Sequence, residues 1–262
     1  MKIWTLADLH LELSPLWTLP RPDERPDFDV LVIAGDLIPR MERGLKWLLG
    51  HVPGRPVIYV PGNHEFYGTD MDRTIEKARL AAQGTNVHVL SDEAVVIDGV
   101  RFLGGTLWTD FSLFGNPRVA MEAADSIMND YKKIRWDRYS RRLKPDVSLA
   151  RHRQTRRFLE LELDAGFEGP TVVVTHHAPY PGGIAEAHRH DLISAAYASD
   201  LTDLITRTAP DLWIYGHTHL SEDAYLGRTR MISNSKGYGP WHPKETWDNP
   251  DFDRLKVVEL IR

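Results

Sequence analysis

The chain has 262 residues, 42% of them hydrophobic and 26% charged, with a net charge of −5 and no cysteine. That balance is typical of a globular protein, and the missing cysteines exclude a disulfide scaffold, a thiolate-held metal and a cysteine nucleophile. No apolar run approaches the ~20 residues of a membrane helix, so no membrane partner is expected.

Residues 2–7 (KIWTLA) read as a strand that runs directly into Asp8 and His10. A secretory leader would show a basic stretch, a longer apolar core and small residues at a cleavage point, so a cytoplasmic location is expected. A second strand, residues 30–34 (VLVIA), is followed by Gly35-Asp36. Helical spacing covers 41–49. A third strand, 57–60 (VIYV), leads through Pro61 into Gly62-Asn63-His64-Glu65, and a second helix covers 71–82. Short runs rich in Val and Ile and bounded by turn residues are buried strands, and their alternation with helices gives an α/β fold.

Residues 94–98 and 100–103 flank Gly99 and read as an antiparallel hairpin. From 111 to 164 the pattern changes. No strong strand is present, and 117–131 and 148–163 show helical spacing, with Met121, Ala124 and Met128, then Leu149, Phe158 and Leu161, as apolar positions. We read 111–164 as a helical insertion, or cap, within a single domain spanning 1–262. It is basic: Arg141, Arg142, Lys144, Arg151, Arg153, Arg156 and Arg157 face few acids. Strand 171–175 (TVVVT) then leads to His176-His177, and a turn or two of helix is expected within 199–208. Strand 212–215 (LWIY) leads to Gly216-His217-Thr218-His219, and further strands cover 224–226, 230–233 and 255–260. The expected architecture is two packed mixed β-sheets flanked by helices.

Polar residues follow five of these strands, and in open α/β sheets ligands gather beyond the carboxyl ends of strands. Asp and neutral His are good ligands for Mn, Fe or Zn, and a carboxylate can bridge two cations. The two-residue spacing of Asp8/His10 and of His217/His219 puts both side chains on one side of an extended segment. Glycines ahead of Asp36, Asn63 and His217 allow the chain to turn tightly.

The order Asp-x-His, Gly-Asp, Gly-Asn-His-Glu, His, Gly-His-x-His, running from Asp8 to His219, resembles the signature of the calcineurin-like metallophosphoesterases. The resemblance implies a four-layer sandwich and two divalent metal ions. Asp8, His10 and His219 would bind one ion, and Asn63, His176 and His217 the other, with Asp36 bridging. His64 would assist the leaving group while a metal-bridging hydroxide attacks phosphorus in line. The family motif puts the ligand first in His176-His177. Glu65, His177, Tyr67 and Asn234 are then candidates for orienting ligands or for meeting substrate.

The expected function is hydrolysis of a phosphate mono- or diester, with a small molecule as the expected substrate. Asp36 is followed by Leu37-Ile38-Pro39-Arg40 and not by the Asp-Arg-Gly of the Ser/Thr protein phosphatases, and His64 stands where lipid-nucleotide hydrolases have Arg. Asn234–Tyr238 reads NSKGY where bacterial relatives more often read Asn-Pro-Arg-Gly-Tyr, and the departure leaves Lys236 open between a role at the site and a solvated loop lysine. A nuclease using the basic insertion to hold nucleic acid is the alternative among enzymes. A protein-interaction scaffold with an eroded metal site is the alternative outside them, and the complete ligand set speaks against it.

Overall fold

Thirteen strands and six α-helices are found in the computed structural model, which describes residues 1–14, 17–242 and 245–260. In chain order they are β1 (Lys2–Leu6), β2 (Val30–Ala34), α1 (Met41–His51), β3 (Val57–Val60), α2 (Met71–Ala82), β4 (Val87–Val89), β5 (Glu93–Ile97) and β6 (Val100–Gly105). Next come α3 (Pro117–Ile127), α4 (Asp130–Lys133), β7 (Arg135–Trp136), β8 (Arg141–Arg142), α5 (Pro145–Asp164) and β9 (Thr171–Thr175). The last are α6 (Thr202–Thr208), β10 (Leu212–Tyr215), β11 (Ser221–Leu226), β12 (Thr229–Asn234) and β13 (Val257–Glu259).

The period-two alternation of the strands sorts their side chains into layers. One sheet has the order β13-β1-β2-β3-β4 and the other β11-β12-β10-β9-β6-β5. Strands β1 to β4 are mutually parallel, as are β12, β10, β9 and β6, and the antiparallel strands β13, β11 and β5 lie at the edges. Ile3, Val32, Ile58, Val60 and Val30 meet Phe102, Val172, Val174, Leu212 and Ile214 between the sheets. Trp4, Leu31, Ile33 and Tyr59 point the other way, toward Leu45 and Leu48 of α1 and Ile75 and Ala78 of α2. Val173, Trp213, Tyr215 and Met231 do the same on the second sheet, against Leu159 and Leu163 of α5 and Leu204 and Ile205 of α6. The result is a four-layer α/β/β/α sandwich. Each buried aliphatic side chain contributes ~1.5–3 kcal/mol to holding it.

The segment 111–164 departs most from its sequence reading. The helix expected over 117–131 stops at Ile127, Met128 is extended, and α4 restarts at Asp130. This break turns Asp130 inward, where its carboxylate accepts hydrogen bonds from Asn63 and Tyr67. The small β7–β8 hairpin occupies a stretch that shows no strand pattern. It is docked on the loop after β3, where Gly68 N–H donates to the Lys133 carbonyl and Arg135 N–H to that of Thr69. Helix α5 starts at Pro145 and turns Ser148, His152 and Thr155 inward, whereas Leu161 is 63% exposed. The three-residue β4 was also not evident from the sequence, and β13 is shorter than 255–260.

Candidate metal centre

Asp8, Asp36, Asn63, His64, His176, His217 and His219 all follow the ends of parallel strands, and the turns there are tied to their neighbours within each sheet. Asp8 N–H donates to the Gly35 carbonyl, His10 N–H to that of Asp36 and Gly216 N–H to that of His176. Close approach demands glycine at two of these turns. A Cβ on Gly35 (φ +87°) would lie 2.3 Å from the His176 ring, and one on Gly62 would lie 2.1 Å from Asp36 Oδ1. Asp8, His10, Asp36, His217 and His219 all have positive φ, between +44° and +68°. Such backbone costs of order 1–3 kcal/mol per residue and clusters at functional sites.

Three buried groups result, each with ligand atoms close enough to share a cation: Asp8–His10–His219, His10–Asp36–His64 and Asp36–His176–His217. His10 and Asp36 each belong to two of them. One carboxylate oxygen of each aspartate is spent on backbone: Asp8 Oδ2 accepts from His217 N–H (2.9 Å) and Asp36 Oδ1 from His64 N–H (2.8 Å). Asp8 Oδ1 is thereby left buried without a hydrogen-bond partner, 3.7 Å from His219 Nε2. Asp36 Oδ2 lies 3.5 Å from His176 Nε2 and 3.7 Å from His10 Nε2.

The donor set fits cations. His176 Nδ1 sits 2.9 Å from the Ala34 carbonyl, which can only accept, so that nitrogen carries the hydrogen and Nε2 presents its lone pair. Asn63 Nδ2 donates to Asp130 Oδ1 at 2.8 Å, so it is Asn63 Oδ1, another acceptor, that stands 2.9 Å from His176 Nε2. Two acceptors this close need a shared proton or a metal cation between them. His219 Nδ1 faces Asp248 Oδ2 at 3.2 Å, and its Nε2 lies 3.2 Å from His10 Nε2. His217 brings Nδ1 to 3.1 Å from His176 Nε2. Metal-free, a proton takes the place of a cation: although burial opposes it, Asp36 and Asp8 push His176 up to about 10. Asp36 in turn is held well below the usual carboxylate range despite its burial, because His176, His64 and His10 surround it.

Glu65 builds the turns without entering the cluster. Its fully buried carboxylate accepts from Gly62 N–H (2.7 Å), Asp36 N–H (2.9 Å), Leu37 N–H (2.7 Å) and Tyr59 O–H (2.8 Å). His177 points its Nδ1 at the Thr106 carbonyl (3.1 Å), and its ring packs on His217. His64 stacks on Tyr67 with ring centroids 4.1 Å apart and points Nδ1 at Glu12 Oε1 (3.0 Å). Burial works against its protonation, but Asp36 and Glu12 outweigh it and push His64 up to about 9.

Two expectations need correction in their surroundings. Lys236 is not a solvated loop lysine. It is fully buried, and its ammonium donates to Ser14 Oγ and to the Gly237 and Gly239 carbonyls. Burial lowers it to about 8. Asn234 spends its amide on the Thr5 and Asp253 carbonyls and on Asp253 N–H, tying the chain termini together, and it does not line the cleft. Three acids escaped the sequence reading. Glu12 continues the alternation Asp8-x-His10-x-Glu12 and could have been found from it. Asp130 and Asp248 carry no local signal.

A cleft of about 490 Å³ opens over the cluster and is lined by Asp36, Asn63, His64, Tyr67, His217, His219 and Tyr238. The sequence model of the calcineurin-like phosphoesterases matches residues 1–221. The chain belongs to that family. A family member's metal requirement agrees with the clusters described above. An uncharacterised protein, L509, of Acanthamoeba polyphaga mimivirus is 23% identical over 97% of this chain and 98% of its own. Among solved structures, the phosphopantetheinyl hydrolase PptH of Mycobacterium tuberculosis has the same fold. It superposes with a TM-score of 0.67 at 21% identity, covering 90% of this chain and 89% of that one. No helix among the described residues is long and apolar enough to cross a membrane.

Proposed function

We propose that the chain is a binuclear phosphoesterase that hydrolyses small phosphate esters. Asp8, His10 and His219 would hold one divalent cation (Mn, Fe or Zn), Asn63, His176 and His217 the other, and Asp36 both. The observation that carries this reading is the buried cluster itself, in which Asn63 Oδ1 and His217 Nδ1 lie 2.9 and 3.1 Å from His176 Nε2, beside the unpartnered Asp8 Oδ1. Two bound cations would neutralise phosphate charge, acidify water and clamp the attacking and leaving oxygens.

The chain's own residues supply the rest. Glu65 fixes the backbone at Asp36 and Gly62, and Asp130 fixes the rotamer of the Asn63 amide. His64 sits at the cleft wall with Glu12 on Nδ1, so its Nε2 is the nitrogen available to deliver a proton to a departing alkoxide. No residue of the chain needs to form a covalent intermediate. PptH is named for hydrolysis at a phosphopantetheinyl group, and that group belongs in the substrate panel for this chain.

The leaving-group role has a direct test. The variant His64→Ala should lose ~10²–10⁴-fold in rate on esters with poor leaving groups and much less on activated aryl esters, with metal content near normal. Equal losses on both ester types would refute the role, and lost metal would make His64 a ligand.

A further inference from the structure

The cleft continues beyond the metal-binding residues. Pockets for drug-sized ligands run ~300–1,000 Å³, so about 490 Å³ is far more than a phosphate needs and leaves room for an organic arm on the substrate. Its outer walls are mixed, with Asn129, His188 and Ser194 among apolar side chains. Ile127 and Met128, at the end of α3, line it together with Ile184 and Ile193 from the stretch between β9 and α6, and with Tyr197, whose ring packs on that of His217. Ile127 is 63% exposed, an apolar side chain left at the cleft mouth.

Charge narrows the arm further. Among the described residues that line the cleft none is Lys or Arg, whereas Asp130 and Asp191 are acids. Lys133 holds its ammonium 5.0 Å from the Tyr67 ring centroid and is not part of the lining. No arginine of the insertion is among the lining residues, and three of them pair elsewhere: Arg141 with Asp137, Arg151 with Asp72 and Arg156 with Glu160. Binding of a second phosphate or of a nucleotide chain normally recruits Arg or Lys. An additional anion here would find no Lys or Arg, only neutral donors such as Asn129 and Ser194 and the His188 ring already paired with Asp191, and burying a charge without a full partner is costly.

We infer that the substrate is a phosphate ester carrying a neutral, partly apolar arm, seated between Ile127/Met128 and Ile184/Ile193, and that nucleotides and oligonucleotides are poor substrates. This inference rests on the phosphoesterase reading of the metal site. It also assigns the insertion its part in the reaction: the end of α3 selects the arm, and the basic residues do not.

The test is a series of alkyl p-nitrophenyl phosphate diesters, from methyl to hexyl, hydrolysed by the Mn²⁺-loaded full-length protein. Each buried methylene is worth up to about fourfold, so kcat/KM should rise about tenfold or more from methyl to butyl. A hexyl arm ending in a carboxylate should fall about tenfold or more below the neutral arm of the same length. The variant Ile127→Lys, at an exposed position where folding is not at stake, should raise KM for the butyl and hexyl diesters with little change in kcat, and should narrow the penalty on the carboxylate arm. A flat series, an indifferent terminal charge, or better turnover of nucleotides than of neutral diesters would overturn the inference while leaving the phosphoesterase reading intact. If no ester of any kind were hydrolysed by metal-loaded protein, that reading itself would fall, and this inference with it.

Discussion

Glu65 shows how much of the site depends on a residue that never touches the cluster. Its carboxylate collects donors from both the Asp36 and the Asn63 turns, and an amide in its place would set an NH₂ against backbone N–H groups. Glu65→Gln should therefore destabilise the protein by ~1–3 kcal/mol, as followed by urea unfolding. It should also weaken metal binding by ~10–100-fold, as followed by competition with a chelator. Unchanged affinity would mean that the turns hold without it. Glu65 was legible as a motif member, although its use was not. Lys236 was not legible because burial of a lysine leaves no trace in local sequence: its three acceptors are Ser14 and its own loop, and only the folded chain brings Ser14 there.

At the scale of elements, strands β1, β2, β3, β9 and β10 were legible because buried parallel strands are continuous Val/Ile/Leu runs. The polar residues after them were legible for the same reason, since the ends of those runs mark the active edge. The segment between β6 and β9 was not. Its helix α5 buries Ser148, His152 and Thr155 against its neighbours, so the apolar period misleads about which face is inside. The break between α3 and α4 is set by a tertiary contact, Asp130 with Asn63 and Tyr67, that no local pattern announces. The basic composition of the segment suggested a polyanion site, yet Lys144 and Asp125 pair as do Arg156 and Glu160, at positions outside the cleft wall. Exposed pairs of this kind are worth ~0–1 kcal/mol each. Replacing Arg141, Arg142, Arg156 and Arg157 together by Gln should leave KM nearly unchanged for a small diester and for an oligonucleotide alike. A selective rise in KM for the oligonucleotide, with a flatter salt dependence, would restore the nuclease reading.

The whole molecule is a sandwich whose two sheets contribute complementary halves of one cluster, so metal content and folding should be linked. His176 gives the sign of that link. Its folded-state value of about 10 lies above its ordinary value, so in the metal-free protein it contributes stability that is complete below about pH 6.5 and is lost as pH rises through about 10. A cation must displace that proton. Metal-free protein should therefore lose thermal stability across this window while metal affinity rises, with proton release seen by calorimetry in buffers of differing ionisation enthalpy. A pH-independent affinity would contradict this. The central claim, one centre built for two cations around Asp36, meets its most direct test in elemental analysis of protein saturated with Mn²⁺ and freed of excess. The account predicts close to two ions per chain in the wild type and the largest single-site loss in Asp36→Ala; one ion per chain at saturation would contradict it.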